Sequence, residues 1–110
     1  ASSARVSRHA SVGQGGVVMH QAAVNAGAKV GVNCIINTSA IIEHDVNLGD
    51  HCHVATGAVI AGGANIGACS FIGAGSIVSN GVSIGPNSII GAGCVVMSDL
   101  SADTFMKREK

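Results

Sequence analysis

An aliphatic residue recurs at every sixth position along this chain, and this repeat restricts the possible folds more than any other feature. From Val6 to Val96, sixteen consecutive repeats carry Val, Ile or Leu at this position without interruption. A helix repeats its apolar positions about every 3.6 residues and a half-buried strand about every two, so neither produces a period of six. The repeat instead predicts short strands that are joined by corners and wound into a solenoid.

Two further positions of the repeat have a characteristic composition. With the aliphatic residue as position 1, position 5 is small in nearly every repeat, as at Ala22, Ala58 and Ser76. From Gly15 to Asp99, position 4 is usually Gly, Asn or Asp, the residues that best tolerate a positive φ. We therefore predict that the aliphatic residue points inward, that a left-handed corner follows, and that the small residue points inward where space is tight.

Composition excludes several other classes of protein. The chain has 110 residues, a formal net charge of zero and only 2% aromatic residues, so it is long enough for one domain but poor in the residues of an ordinary core. A neutral chain gives no indication of binding to nucleic acid or to an anionic membrane. No apolar run reaches the ~18 residues of a membrane span, and no signal peptide is visible. We therefore expect a cytoplasmic protein.

The hexapeptide pattern resembles that of the hexapeptide-repeat acyltransferases, which fold as a left-handed parallel β-helix. This resemblance implies an all-β fold in which three hexapeptides form one triangular coil, so that positions three repeats apart stack with a rise of ~4.8 Å. It predicts a single domain over residues 1–110, with about five regular coils over residues 6–101 and a C-terminal tail at 102–110.

Stacking of every third repeat sorts the outward side chains into three columns. The first column is polar and contains Ser11, Lys29, Asn47, Asn65, Ser83 and Ser101. The second and third are mostly apolar and contain, respectively, Val17, Ile35, His53, Phe71 and Ile89, and Ala23, Ile41, Val59, Ile77 and Val95. Long exposed apolar stripes usually mark an interface, and members of the resembled family are trimers, so we expect a homotrimer.

Ionisable residues are concentrated in residues 36–54. His44 precedes the corner residue Asp45. Gly62 stacks on His44 one coil later, and a glycine there leaves open space beside the imidazole ring. His53 is the polar exception in an apolar column. Taken singly, these would be a solvated turn residue and an interface residue. Because they are half a coil apart, they should lie on different sides of the prism, so a site that uses both requires His53 of one subunit to face His44 of the next.

Within the superfamily, the segment from Asn37 to Asp45, followed by His51, Cys52 and His53, resembles the sialic-acid O-acetyltransferase and nucleotide-sugar N-acetyltransferase family. The similarity extends over about residues 28–98. It implies that His44 is the general base, that Asp45 supports it, and that His53 contacts the thioester region of acetyl-CoA. A histidine suits this role because it ordinarily titrates near neutral pH.

The same resemblance implies binding positions and a reaction. Asn37 would contact the acceptor sugar, and the backbone of Gly62, Ala74 and Ala92 would contact CoA. The reaction would be direct acetyl transfer from acetyl-CoA to a hydroxyl or amine of a sugar or nucleotide sugar, with no metal. Members of that family normally carry a nucleotide-sugar-binding domain before the coils and usually end with a Gly-x-Pro-Ala-Lys segment, and these 110 residues contain neither. A non-catalytic binding or assembly module is therefore the alternative.

The cysteines and histidines also admit a metal-binding interpretation, which we disfavour. Cys34, Cys52 and Cys94 occupy position 5, where Ala and Ser also occur, so we expect them to be reduced packing residues rather than ligands. A zinc carbonic anhydrase of the same fold needs three histidines that converge on one ion. The five histidines of this chain lack the spacing of that family.

Overall fold

The computed structural model describes residues 3–108, and within this range it contains seventeen strands of two residues each and no helix. In chain order the strands are β1 (Arg5–Val6), β2 (Ser11–Val12), β3 (Val17–Val18), β4 (Ala23–Val24), β5 (Lys29–Val30), β6 (Ile35–Ile36), β7 (Ile41–Ile42), β8 (Asn47–Leu48), β9 (His53–Val54), β10 (Val59–Ile60), β11 (Asn65–Ile66), β12 (Phe71–Ile72), β13 (Ile77–Val78), β14 (Ser83–Ile84), β15 (Ile89–Ile90), β16 (Val95–Val96) and β17 (Phe105–Met106).

The strands form three parallel sheets around one axis. Sheet A has the order β1-β4-β7-β10-β13-β16, sheet B the order β14-β11-β8-β5-β2, and sheet C the order β17-β15-β12-β9-β6-β3. Partners in adjacent coils are three repeats apart, as where Val59 pairs with Ile41 on one side and Ile77 on the other. The fold is therefore the all-β parallel β-helix that the repeat predicts, and it is consistent with the left-handed coil of the resembled family.

The solenoid has about six turns, slightly more than the five expected, because seventeen strands are distributed over three sheets. The additional strand is Phe105–Met106, which pairs with Ile89–Ile90 on sheet C. Fewer residues separate this strand from its partner than the full three repeats that separate the other paired strands. Residues 109 and 110, which end the predicted tail, lie outside the described residues.

The last coil is thus two residues shorter than the others. Leu100 bridges Ile84, which places Asp99 beside Ser83, and the Asp99 carboxylate accepts the Ser83 N–H at 2.9 Å. The expected position of Ser101 in the polar column is therefore wrong. The register changes because Leu100, two residues earlier than the strict period requires, supplies the aliphatic side chain that stacks on Ile84.

The aliphatic residues of the repeat form the core, as predicted. Each of them from Val24 to Val96 is buried. Val6 and Val12, in the first coils, remain 46% and 37% exposed. They lie at the end of the stack, where fewer neighbouring coils cover them.

The corners are left-handed, as predicted. From Gly15 to Gly93, position 4 of every repeat has a φ between 55° and 77°. Four of these corners carry residue types that the pattern did not single out, namely Gln21, Ser39, His51 and Cys69. Asp99 does not follow this rule, and the positive φ of the last coil falls on Asp103 instead, in keeping with the shorter register there.

Three of the cysteines pack in the core. Cys34, Cys52 and Cys94 are buried at the small inward position, whereas Cys69 is exposed at a corner, and all four thiols are free. Burial raises the pKa of the Cys52 thiol to about 11, because the thiolate would lose its hydration. Burial likewise raises the pKa of Cys34.

We expect the free energy of unfolding to fall as the pH rises from 9.0 towards about 11. An unfolded thiol releases its proton near its ordinary pKa of 9.0, but folded Cys52 keeps its proton to about 11. The native state therefore binds more protons in this window, so its stability is complete below the window and declines through it.

Urea denaturation between roughly pH 8 and 11 measures this decline. In the Cys52→Ala variant, this loss of unfolding free energy should be smaller by on the order of 2 kcal/mol. The fold should accept the substitution, because Ala occupies the same position in other coils. The Ser76→Ala control, which changes a buried residue without a thiol at the same repeat position, should leave the decline unchanged. An undiminished decline in Cys52→Ala would show that the thiol is not responsible.

Candidate active site

The His44 half-site consists of His44, Asp45 and Gly62, and it lies at the corner between sheets A and B. Asp45 occupies the left-handed position of this corner, with φ 60°. Its Oδ2 atom lies 3.3 Å from Nδ1 of His44. A carboxylate only accepts hydrogen bonds, so the neutral imidazole carries its proton on Nδ1 and keeps a free lone pair on Nε2. The side chains of His44 and Asp45 are 66% and 71% exposed.

Two glycines provide the space in which this pair sits. A Cβ added to Gly62, one coil later, would collide with the His44 imidazole, including its Nε2 atom. A Cβ added to Gly27, one coil earlier, would collide with the Asp45 carboxylate. The imidazole therefore lies against Gly62 and the carboxylate against Gly27, and a larger residue at either position would displace its neighbour.

Glu43 precedes His44 in the chain, but its carboxylate has a different partner. Its Oε1 atom accepts a hydrogen bond of 2.6 Å from Nδ2 of Asn25, which lies one coil earlier. Asp45 is therefore the acid that contacts the His44 ring. Asn25 was not identified from the sequence, although its position three repeats before Glu43 is the signal that could have found it.

The His53 half-site consists of Asn37, His53 and Phe71, and it lies on sheet C and the corner that follows it. The half-buried His53 ring packs edge-on against Phe71, with ring centroids 5.1 Å apart and an interplanar angle of 73°. Nδ2 of Asn37 lies 3.4 Å from Nε2 of His53. Phe71 thus covers His53 from the next coil, and Asn37 contacts it from the previous one.

The remaining predicted binding residues divide between these two places. Gly62 belongs to the His44 corner, where its carbonyl accepts hydrogen bonds from the Gly81 N–H and from Asn80. Ala74 and Ala92 are exposed at the corner between sheets C and A, on the same edge as Asn37. The chain therefore brings His53, Asn37, Ala74 and Ala92 to one edge, with the outward face of sheet A between them and His44.

The two predicted apolar columns are present on the faces next to these residues. The column on sheet C includes exposed Val17, Ile35, Phe71 and Ile89, and the column on sheet A includes exposed Ile77 and Val95. The polar column lies on sheet B, where the Asn47 amide donates to Asn65 at 2.9 Å. Both half-sites therefore border apolar surface, whereas the third face carries polar side chains.

Sequence reasoning missed a basic group beside the Ala92 corner. The Arg108 Cδ atom would lie 3.3 Å from a Cβ on Gly93. Lys107 and Arg108 line a surface cavity of about 420 Å³ together with Gly93 and Phe105. A larger groove of about 520 Å³ runs along sheet B beside Asn47 and Asn65, and no residue of either half-site lines it.

No group of three or more His, Cys, Asp or Glu side chains between residues 3 and 108 is placed to hold a metal ion. Within the same residues, no helix is long and apolar enough to cross a bilayer.

Comparison with known proteins identifies the repeat. Residues 63–97 match the family model for the bacterial transferase hexapeptide (six repeats), and residues 27–61 match the model for the hexapeptide repeat of succinyl-transferase. The two matches together span more than half of the chain. No curated protein sequence matches the chain significantly.

Several solved structures are similar to this chain. The acetyltransferase domain of PglB from Neisseria gonorrhoeae FA1090, in complex with acetyl coenzyme A, is 36% identical with a TM-score of 0.93 over 94% of this chain and 50% of that one. PerB from Caulobacter crescentus, in complex with CoA and GDP-perosamine, is 42% identical with a TM-score of 0.92 over 94% and 50%. WeeI from Acinetobacter baumannii AYE shares the fold, with 23% identity and a TM-score of 0.90 over 94% and 51%. The chain thus spans about half the length of these proteins.

Proposed function

Because this chain belongs to the bacterial hexapeptide-repeat transferase family, we propose that it is an acetyltransferase that transfers the acetyl group of acetyl-CoA to the amine of a nucleotide-linked sugar. The observation that carries this proposal is the His44–Asp45 pair, which leaves Nε2 of an exposed imidazole free to accept a proton. Support for the substrates comes from similar proteins whose structures hold acetyl-CoA or GDP-perosamine. A sugar hydroxyl is the second class of acceptor.

The proposed reaction is a direct transfer of the acetyl group, in which His44 carries a proton from the acceptor to the CoA thiolate. Nε2 of His44 removes a proton from the acceptor amine while the amine nitrogen attacks the acetyl carbonyl carbon. The tetrahedral intermediate carries a negative oxygen, which a hydrogen-bond donor such as the His53 ring stabilises. The C–S bond then breaks, and the CoA thiolate takes the proton from His44. The products are the N-acetylated sugar and free CoA.

We propose that each active site is formed between two subunits of a homotrimer. Within one chain, His44 and His53 lie on different sides of the solenoid, with the apolar face of sheet A between them. A partner that covers this face would bring its own His53 towards His44. It would also exclude water from the His44–Asp45 hydrogen bond, which is exposed to solvent in the single chain.

We assign CoA to the edge that carries Ala74 and Ala92. Both residues are exposed there. A Cβ added to neighbouring Gly57 or Gly75 would have no atom within 4 Å, so this edge has room for a ligand. We place the protein in the cytoplasm, where thiols stay reduced, in accord with its free cysteines.

Release of free CoA, detected with a thiol reagent, tests this function directly. The chain is incubated with acetyl-CoA and a panel of nucleotide-linked amino and hydroxy sugars. We expect acceptor-dependent thiol release and an acetylated amine in the product. Absence of release with every acceptor would overturn the proposal and favour the non-catalytic assembly module.

Substituting Gly62 by Ala should impair transfer through His44 alone. The added methyl group collides with the imidazole, and Gly62 does not have the positive φ that would strain the backbone of an alanine. A misplaced catalytic group can cost about 10²-fold in rate, and we expect a loss of that order at unchanged secondary structure.

A double-mutant comparison separates this effect from general damage. In a His44→Ala background the collision is absent, so Gly62→Ala should cause little further loss. An equal additional loss in that background would show that Gly62 acts in some other way, for instance through a backbone contact with CoA.

A further inference from the structure

We infer that Asn37 is a positioning residue that holds the proton of neutral His53 on Nδ1, so that His53 presents an N–H donor to the reacting thioester. This inference deepens the proposed function and rests on it for the identity of the ligand. The tautomer of His53 is independent of the proposed function, because it follows from hydrogen bonds within the chain.

The orientation of the Asn37 amide is determined by a backbone hydrogen bond. The Thr38 backbone N–H donates to Oδ1 of Asn37 at 2.7 Å. Only the oxygen of an amide accepts such a bond, so the amide nitrogen Nδ2 is the atom that faces His53. The short bond to Thr38 thus settles which end of the amide contacts the imidazole.

The tautomer of His53 follows from this orientation. Nδ2 of Asn37 can only donate hydrogen bonds, and it lies 3.4 Å from Nε2 of His53. Nε2 must therefore accept, and in a neutral ring the proton is on the other nitrogen. The edge-on contact with Phe71, at a centroid distance of 5.1 Å, restrains the ring from turning over.

The Nδ1–H group that results is available to a ligand. Between residues 3 and 108, no hydrogen-bond partner of Nδ1 is found, and no buried polar side-chain atom lacks one. Nδ1 of the half-buried ring is therefore accessible from the protein surface. The two histidines have the same tautomer and offer opposite groups: Nε2 of His44 accepts a proton, and Nδ1–H of His53 donates a hydrogen bond.

Nitrogen-15 NMR of the protein without substrate tests the inference, at roughly pH 8.5 where histidine is ordinarily neutral. We expect the His53 signals to show a protonated Nδ1 and a bare Nε2. In Asn37→Asp, one carboxylate oxygen still accepts from Thr38 while the other accepts from the ring, so the proton should move to Nε2. Asn65→Ala, on the polar face of sheet B, is the matched control and should leave the His53 signals unchanged.

Kinetics of the same variants supply the second readout. If His53 stabilises the oxyanion through Nδ1–H, Asn37→Asp should lower kcat by about 10²-fold, the order expected for loss of one such donor. The inference is overturned if wild-type His53 carries its proton on Nε2, or if Asn37→Asp leaves the tautomer unchanged. The expected tautomers without acetyl transfer by the wild-type chain would contradict the proposed function alone.

Discussion

His44→Ala is expected to lower the rate of acetyl transfer by about 10²- to 10⁴-fold, the contribution typical of a positioned general base. The variant loses the Nε2 lone pair that accepts the acceptor proton. The ring is largely exposed, since its side chain is 66% accessible. The melting temperature should therefore stay close to that of the wild type, and the loss should appear in kcat rather than in the amount of folded protein.

His51→Asn is the matched control for this variant. His51 belongs to the same polar stretch and lies at a left-handed corner with φ 59°, a conformation that Asn tolerates. It belongs to neither half-site, so its replacement should leave the rate within about two-fold of wild type, as expected for a surface substitution. A His44→Ala enzyme as active as His51→Asn would exclude His44 as the base.

Ile60→Ala should destabilise the fold by about 2–5 kcal/mol, which is a large fraction of the total stability of a domain. Ile60 is completely buried in sheet A, the sheet that separates the two half-sites. Coils above and below pack against it, so the structure has little freedom to close the cavity. Thermal or urea denaturation of the variant measures the loss.

Two milder substitutions make this result interpretable. Ile60→Val removes one methyl group and should cost about 0.5–1.5 kcal/mol. Val12→Ala changes the same repeat position in an end coil, where the side chain is 37% exposed, so its cost should be smaller than that of Ile60→Ala. Equal losses for Val12→Ala and Ile60→Ala would contradict a core concentrated in the central coils.

Much of the fold could be predicted from the repeat because each coil obeys the same packing rule. The inward position of Ile60, the left-handed corner at Asp45 and the burial of Cys52 all follow from the period alone. The open space beside His44 was also predictable, since Gly62 stands one period later. These features depend on backbone register, and an uninterrupted repeat determines that register.

The features that were not predicted depend on a break in the repeat or on side-chain direction. The last coil shortens at Leu100, and the signal for this was that Leu100 and Met106 continue the hexapeptide spacing in a new phase. The bond between Asn25 and Glu43 and the contact of Asn37 with His53 depend on rotamers, which a period does not specify. The sequence therefore indicated where the polar groups lie but not how they pair.

Mixing two inactive variants tests most directly whether each site is formed between subunits. His44→Ala and His53→Ala chains are unfolded together in equal amounts, refolded and assayed for acetyl transfer. In a homotrimer whose sites take His44 from one subunit and His53 from the next, roughly a quarter of the sites regain both histidines, and activity should recover to roughly that fraction of wild type. No recovery in mixed trimers, with each variant alone remaining inactive, would show that both histidines must come from the same chain and would contradict this arrangement.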